Sequence, residues 1–167
     1  TQEFQFLFDY DRVQGVAGIF YLDGHAEGAF DTILGGAGIV IGTGGSVDTE
    51  SWAGFADVNL DITDRLHLGI GMRYTLDTKT GTVFRANYLG ATRSPILGGT
   101  VRAPLLVRTN YTNTKDFTQF TPRIALSYDL TDDMTTYVSF SQGFKSGGFD
   151  MRGDAVFTPD TVNGYDP

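Results

Sequence analysis

This sequence of 167 residues contains no cysteine. It has few prolines, 5 in all, and few long apolar runs. Without cysteine there is no disulfide framework, no thiolate metal site and no cysteine nucleophile. The net charge of −8 argues against nucleic acid as a partner, because phosphates require a basic surface. No apolar run approaches the ~18 residues that a membrane-spanning helix needs. The longest apolar segments, 16–22 and 37–41, have the length of strands.

What the sequence does contain is alternation with a period of two, which predicts β-strands. The alternation is clearest at 66–76, where one face carries only large side chains, namely Leu66, Leu68, Ile70, Met72, Tyr74 and Leu76. By the same criterion we predict six strands, at 3–10, 13–22, 52–61, 66–76, 118–129 and 134–144. The faces of the strand at 13–22 stay ambiguous, because both are apolar. The fold class predicted from the pattern is all-β.

The connections between these strands alternate in length. Short turns lie near 11–12, 63–65 and 131–133, whereas we expect long loops at 24–50, at 77–117 and from 145 onward. Short turns on one side and long loops on the other are typical of outer-membrane β-barrels. An internal repeat supports paired hairpins, since "DITDRL" at 61–66 and "DLTDDM" at 129–134 share one form.

Strand length favours a membrane barrel over a soluble sandwich. A membrane strand needs ~9–11 residues, whereas an average soluble strand has ~5–6. The apolar faces carry an aromatic residue toward strand ends, at Tyr10, Trp52, Tyr74 and Tyr128, as interfacial girdles require. Six strands are too few to close a barrel, since the smallest single-chain barrels have about eight. We therefore expect an antiparallel part of a larger barrel, with a soluble β-rich binding module as the remaining alternative.

No motif of catalysis or of cofactor binding withstands inspection. The lysine among glycines at 143–148 suggests a phosphate loop, but Phe144 rather than glycine precedes Lys145, and no helical pattern follows. Asp57, Asn59 and Asp61 have calcium-loop spacing without the glycine and the glutamate that such a loop requires. We predict no catalytic, cofactor-binding or metal-binding residue.

Two arginines on polar faces, Arg73 and Arg123, are candidate contacts in the lumen of the barrel. Their functional interpretation is a contact with an internal plug or with an anionic solute. The alternative that we favour is a structural ion pair within the barrel wall, for instance with Asp57 or Asp129.

The segment from Phe120 to Asp150, "FTPRIALSYDLTDDMTTYVSFSQGFKSGGFD", resembles the barrel of TonB-dependent outer-membrane receptors. The positions that match the family motif are Pro122, Arg123, Tyr137, Ser139, Gly143, Phe144, Lys145, Gly147 and Gly148. Residues 51–79 resemble the preceding hairpin of the family, whereas Gly15 stands where an aromatic residue is expected. We expect the last strand to leave the hydrocarbon at Gly143 and Phe144, with Lys145 at the headgroups and Gly147 and Gly148 turning the chain.

The resemblance implies a barrel of about 22 strands with an N-terminal plug. Such a receptor imports a scarce nutrient, most often an iron–siderophore, with energy supplied by the TonB–ExbB–ExbD complex. Implied partners are that complex, outer-membrane lipid and a ferric siderophore, in the bacterial outer membrane and without nucleic acid. Residues 1–167 would be a partial barrel domain, with both ends cut and with the plug and the TonB box outside the chain. A passive porin or an adhesin barrel would share these strands and remains an alternative.

Overall fold

A computed structural model describes all of residues 1–167. Six antiparallel strands lie in one sheet in the order of the sequence. They are β1 Gln2–Tyr10, β2 Val13–Leu34, β3 Ile39–Thr63, β4 Leu66–Leu89, β5 Leu106–Thr131 and β6 Met134–Ser141. Three short 3-10 helices occupy Gly35–Ala37, Pro95–Leu97 and Pro159–Asn163. None of these helices has the length and apolar character needed to cross a membrane.

The number of strands and the short turns agree with the sequence-based prediction. In the turn between β3 and β4, the Thr63 hydroxyl accepts hydrogen bonds from the N–H groups of Arg65 and Leu66 at 3.3 and 3.0 Å. The repeat places Thr131 in the same role, and its hydroxyl accepts from the N–H of Asp133 at 3.4 Å. Threonine favours such turns because its oxygen satisfies nearby backbone donors.

Two of the predicted long loops are wrong. β2 continues to Leu34 and β3 begins at Ile39, so most of 24–50 is strand. In the same way β4 and β5 reduce the loop predicted at 77–117 to 90–105. The prediction followed apolar rows, and in β4 the row that is apolar up to Leu76 continues with Thr78, Thr80 and Thr82. These hydroxyls pair across the strands, Thr80 with Thr114 at 2.8 Å and Thr82 with Thr112 at 3.0 Å.

The pairing of β1 with β2 resolves the ambiguous faces of β2. Phe4 lies opposite Ile19, Phe6 opposite Ala17 and Phe8 opposite Gly15, and residues opposite each other share one face of a sheet. A Cβ at Gly15 would lie 2.6 Å from Cζ of Phe8. The ring of Phe8 therefore covers the position where the family resemblance suggested an aromatic residue.

The pairing of β5 with β6 gives the two predicted faces of β6. Ile124 lies opposite Phe140 and Leu126 opposite Val138, whereas Ala125 lies opposite Ser139 on the other face. β6 ends at Ser141, three residues before the predicted bound of 144.

The chain forms two compact units. Unit 1 comprises Thr1–Asp23, Glu50–Asp77 and Phe117–Lys145, and unit 2 comprises Gly24–Thr49, Thr78–Asp116 and Ser146–Pro167. Unit 2 contains a small core of Val40, Ala86 and Tyr88, against which Phe84 and Ile96 pack. The loop at 90–105 covers this core, and the N–H of its fully buried Ser94 donates to Asp31 at 2.7 Å.

Candidate functional site

The outward face of unit 1 is apolar and uncovered. Twelve of its large side chains are between 39 and 77% exposed, namely Phe4, Phe6, Tyr10, Ile19, Trp52, Met72, Tyr74, Leu76, Phe120, Ile124, Leu126 and Tyr128. Soluble monomers rarely expose contiguous apolar patches of more than a few hundred Å². At one end of this band the ring of Trp52 lies 4.4 Å from that of Tyr21 and donates from Nε1 to Glu50 at 3.0 Å. An aromatic ring with a polar contact at its edge suits a membrane–water interface.

The inward face of unit 1 carries a histidine between two aspartates. His67 contacts Asp61 through Nδ1 at 2.5 Å and Asp129 through Nε2 at 3.2 Å. Thr135 donates to the second carboxylate at 2.6 Å. Because the two carboxylates bind opposite ring nitrogens, they do not converge on a common point, and no group of acidic and histidine residues in the structure is arranged to hold a metal ion.

The sequence analysis missed this histidine cluster, although a signal was present. The repeat D-[IL]-T-D places Asp61 and Asp129 at equivalent positions before two turns, on strands that flank the one carrying His67.

Arg123 takes part in an ion pair within the wall. Its Nη1 lies 2.9 Å from Oδ2 of Asp57. The same carboxylate oxygen would lie 2.5 Å from a Cβ at Gly71. Glycine at this position of β4 therefore leaves room for a carboxylate from β3 to reach a guanidinium on β5.

Arg73 has a different environment. Its guanidinium carbon lies 4.9 Å from the ring centre of Phe20 and 5.8 Å from that of Phe55. Its Nε donates to the hydroxyl of Thr75 at 3.3 Å. The two candidate arginines therefore differ in their environment. Arg123 is neutralised by a carboxylate, whereas Arg73 is held by aromatic rings.

The other motif residues up to Lys145 belong to unit 1, where they lie in β5, in β6 or directly after β6. Tyr137 is 77% exposed, and the carbonyl of Pro122 accepts a bond from the N–H of Gln142 at 3.0 Å. Gly143, half-buried Phe144 and exposed Lys145 follow the last strand.

The two glycines that follow lie outside any turn, although the sequence predicts that they turn the chain, and neither has a positive φ. Gly147 accepts a bond from Lys79 at 2.9 Å. Gly148 pairs with Tyr165, and a Cβ there would lie 3.1 Å from the Tyr165 hydroxyl. Close packing against Tyr165 therefore favours glycine at 148.

Within unit 2, residues 146–167, which we call the docked segment, lie against β4 and β5. The contacts from β5 run in order along the strand. Thr109 donates to the carbonyl of Gly153 at 2.7 Å, and Asn113 donates to that of Val162 at 2.9 Å. The carbonyl of Arg152 accepts a bond from Arg85 on β4. The predicted loop after residue 145 is thus an irregular segment with fixed contacts.

Asp154 anchors the docked segment. It is 4% exposed and forms an ion pair with Arg108. Its Oδ1 accepts bonds from the N–H groups of Val156 and Phe157 at 3.1 and 3.0 Å. Burial raises the pKa of this carboxyl, but the two backbone donors and Arg108 outweigh burial and lower it.

The sheet has an apolar outward face and a polar inward face, and its strands β2 to β5 are 22 to 26 residues long. These features define the wall of a transmembrane β-barrel. All of residues 1–167 match the family described as TonB dependent receptor-like, beta-barrel. The chain belongs to this family, whose members are outer-membrane transporters and not enzymes.

A solved structure shows the same fold. It is the crystal structure of the ferric yersiniabactin uptake receptor FyuA from Yersinia pestis, with a TM-score of 0.69 and 18% sequence identity. The similarity covers 98% of this chain and 23% of FyuA, so the chain spans less than a quarter of the length of that receptor. No curated protein matches the sequence significantly.

Proposed function

We propose that this chain is part of an outer-membrane active transporter that imports a scarce nutrient with energy from TonB. The observation that carries the proposal is the family match over all of residues 1–167. The outward apolar band of unit 1 supports a location in the bacterial outer membrane, with lipid as its partner. In this proposal residues 1–167 are part of the barrel domain, and a plug and a TonB-contacting segment belong to other parts of the protein and engage the TonB–ExbB–ExbD complex.

The nutrient that we propose is an iron–siderophore. Support comes from the fold shared with FyuA, the ferric yersiniabactin uptake receptor. The strand extensions in unit 2 and the loop at 90–105 are the parts of the chain that we assign to the side facing the medium. Their outward threonines and their buried charges are compatible with water rather than with hydrocarbon.

The experiment is growth of a deletion strain on defined sources of iron, cobalamin and sugar. We expect growth to fail on a ferric siderophore as the sole iron source. The full-length gene should restore growth in a host with TonB and not in a host without it. Restoration in both hosts would mean a passive channel, and undiminished growth of the deletion strain on all ferric siderophores would refute the proposed nutrient.

Fractionation tests the location separately. The full-length product should be found with outer-membrane markers. Recovery in the soluble fraction would contradict the barrel assignment and favour a soluble binding module.

A further inference from the structure

Arg73 is an exception among the cationic side chains on the inward faces of β4 and β5 in unit 1, because it has no carboxylate partner. Asp57 is paired with Arg123, and His67 contacts both Asp61 and Asp129. Asp77 accepts a hydrogen bond from Ser51 at 2.5 Å. Arg73 forms no ion pair and has a threonine and two rings as its contacts. A half-buried guanidinium without an anion is an incomplete arrangement, because burial disfavours an unpaired charge.

The rings of Phe20 on β2 and Phe55 on β3 form a cradle for the guanidinium of Arg73. Gly18 on β2 makes it feasible, since a Cβ there would lie 2.6 Å from Cζ of Phe55. Stacking on aromatic faces orients a guanidinium without neutralising it. The cradle therefore holds the charge and restricts the side chain, which lowers the entropy cost of binding a ligand.

The missing anion must approach from the lumen. β4 lies between β3 and β5 in the sheet, so the strands on both sides of Arg73 are present. The carboxylate that β3 supplies at this level, Asp57, is already bound to Arg123. An open depression of about 270 Å³ borders both arginines on this face and is lined also by Phe55, Gly71 and Thr121.

We propose that Arg73 is a binding point for a carboxylate presented from the lumen of the barrel. A planar guanidinium matches a carboxylate because two parallel N–H donors can face its two oxygens. The carboxylate has two sources of identical chemistry, an aspartate or glutamate on another part of the protein and a carboxylate of a solute. The proposal requires only that the inward face lines the lumen, so failure of TonB-dependent growth would not affect it.

The test is modification of arginines by phenylglyoxal in washed outer membranes that contain the full-length protein, followed by peptide mass spectrometry. Arg65 in the exposed turn between β3 and β4 is the internal reference, because its side chain is 57% exposed and its one ion pair, with Asp132, is long at 4.0 Å and open to solvent. Citrate and acetate serve as solute probes. A bound carboxylate should slow modification of Arg73 about tenfold or more relative to the reference, as expected for a hydrogen-bonded ion pair.

The outcomes separate the two sources. In the first outcome, Arg73 is modified slowly in washed membranes and fast in about 1 M salt, where charges are screened within ~3 Å. This outcome assigns the carboxylate to the protein. Fast modification in washed membranes that citrate or acetate slows assigns it to a solute. Two results overturn the proposal: Arg73 reacts as fast as Arg65 with and without the probes, or its protection is unchanged by salt, which would mean shielding by the rings alone.

Discussion

The carboxylate of Asp154 and the guanidinium of Arg108 form an ion pair in which the aspartate side chain is only 5% exposed. The pair joins the docked segment to β5, and the ring of Phe157 lies 4.9 Å from the guanidinium carbon. Because Asp154 also accepts two backbone bonds within its own segment, one carboxylate holds both the local turn and its attachment. Removing one partner of a buried pair leaves an uncompensated charge, which is costly.

We predict that Asp154→Asn releases the docked segment. The variant keeps an oxygen for the backbone donors but leaves Arg108 buried without an anion, at a cost of about 3 kcal/mol. Hydrogen exchange of the full-length protein in detergent should show faster exchange of amides in 146–167. The matched control is Asp166→Asn, which removes the ion pair of an 82% exposed aspartate with Lys115 and should cost less than about 1 kcal/mol. Equal exchange in both variants would contradict an anchoring role for Asp154.

A second prediction concerns the contact between Gly81 and Phe149. A Cβ at Gly81 would lie 2.6 Å from two ring carbons of Phe149, so Gly81→Ala should displace the ring at a cost of about 1–3 kcal/mol. Adding Phe149→Ala should remove the clash, so the alanine at 81 should cost much less in that background. The same exchange measurement checks both.

Gly28→Ala is the control for that pair, because its nearest atom outside its own neighbours lies at 3.7 Å. It should leave exchange of 146–167 unchanged. If Gly81→Ala also left exchange unchanged, Phe149 would not be packed as the structure has it.

The sequence sufficed where local pattern decides structure. Period-two alternation gave the strands of unit 1, and the threonines of the repeat gave the turns, because both depend on residues close in sequence. The strand extensions were missed because Thr80 and Thr82 replace the apolar row that marks a lipid-facing strand. The docked segment depends on contacts such as that of Lys79 with Gly147, which no local pattern reveals.

The same limit applies to the candidate site. Sequence identified Arg73 and Arg123 as inward-facing, yet it could not separate them. Their difference arises from which neighbouring strand offers a carboxylate at the same level, and that depends on register between strands.

A pH dependence is expected in unit 2, which contains His25 and Asp48. His25 contacts Asp48 at 2.6 Å, and its pKa is raised above 6.5, first by this hydrogen bond and then by the charge of Asp48. A raised pKa stabilises the folded state fully below pH 6.5 and loses that contribution as the pH rises through the folded-state value.

Amides at 24–49 should therefore open more readily at pH 8 than at pH 5.5, after correction for intrinsic exchange rates. In His25→Gln this difference should shrink. A difference that persisted in the variant would assign the pH dependence to another group.

Orientation in the membrane can be tested with single cysteines, because the chain has none of its own. Val101 in the loop at 90–105 is 91% exposed, and the side chain of Asp132 in the turn between β5 and β6 is 99% exposed. A membrane-impermeant maleimide should label Val101→Cys in intact cells, and it should label Asp132→Cys only after the outer membrane is opened. Labelling in the reverse order would place the short turns on the cell surface and contradict the proposed topology.

Neighbouring residues of β5 test which face meets lipid. Ile124 belongs to the apolar outward face and is 50% exposed, whereas Ala125 lies opposite Ser139 on the inward face. Arginine on the lipid face near the middle of the bilayer costs ~2–4 kcal/mol, so Ile124→Arg should reduce the fraction of full-length protein that assembles, measured by heat-modifiable migration of outer-membrane fractions. Ala125→Arg should have a much smaller effect, since its side chain reaches a polar, water-accessible surface beside Gly69. If the inward substitution were the more damaging one, the result would contradict the assignment of the apolar face to lipid.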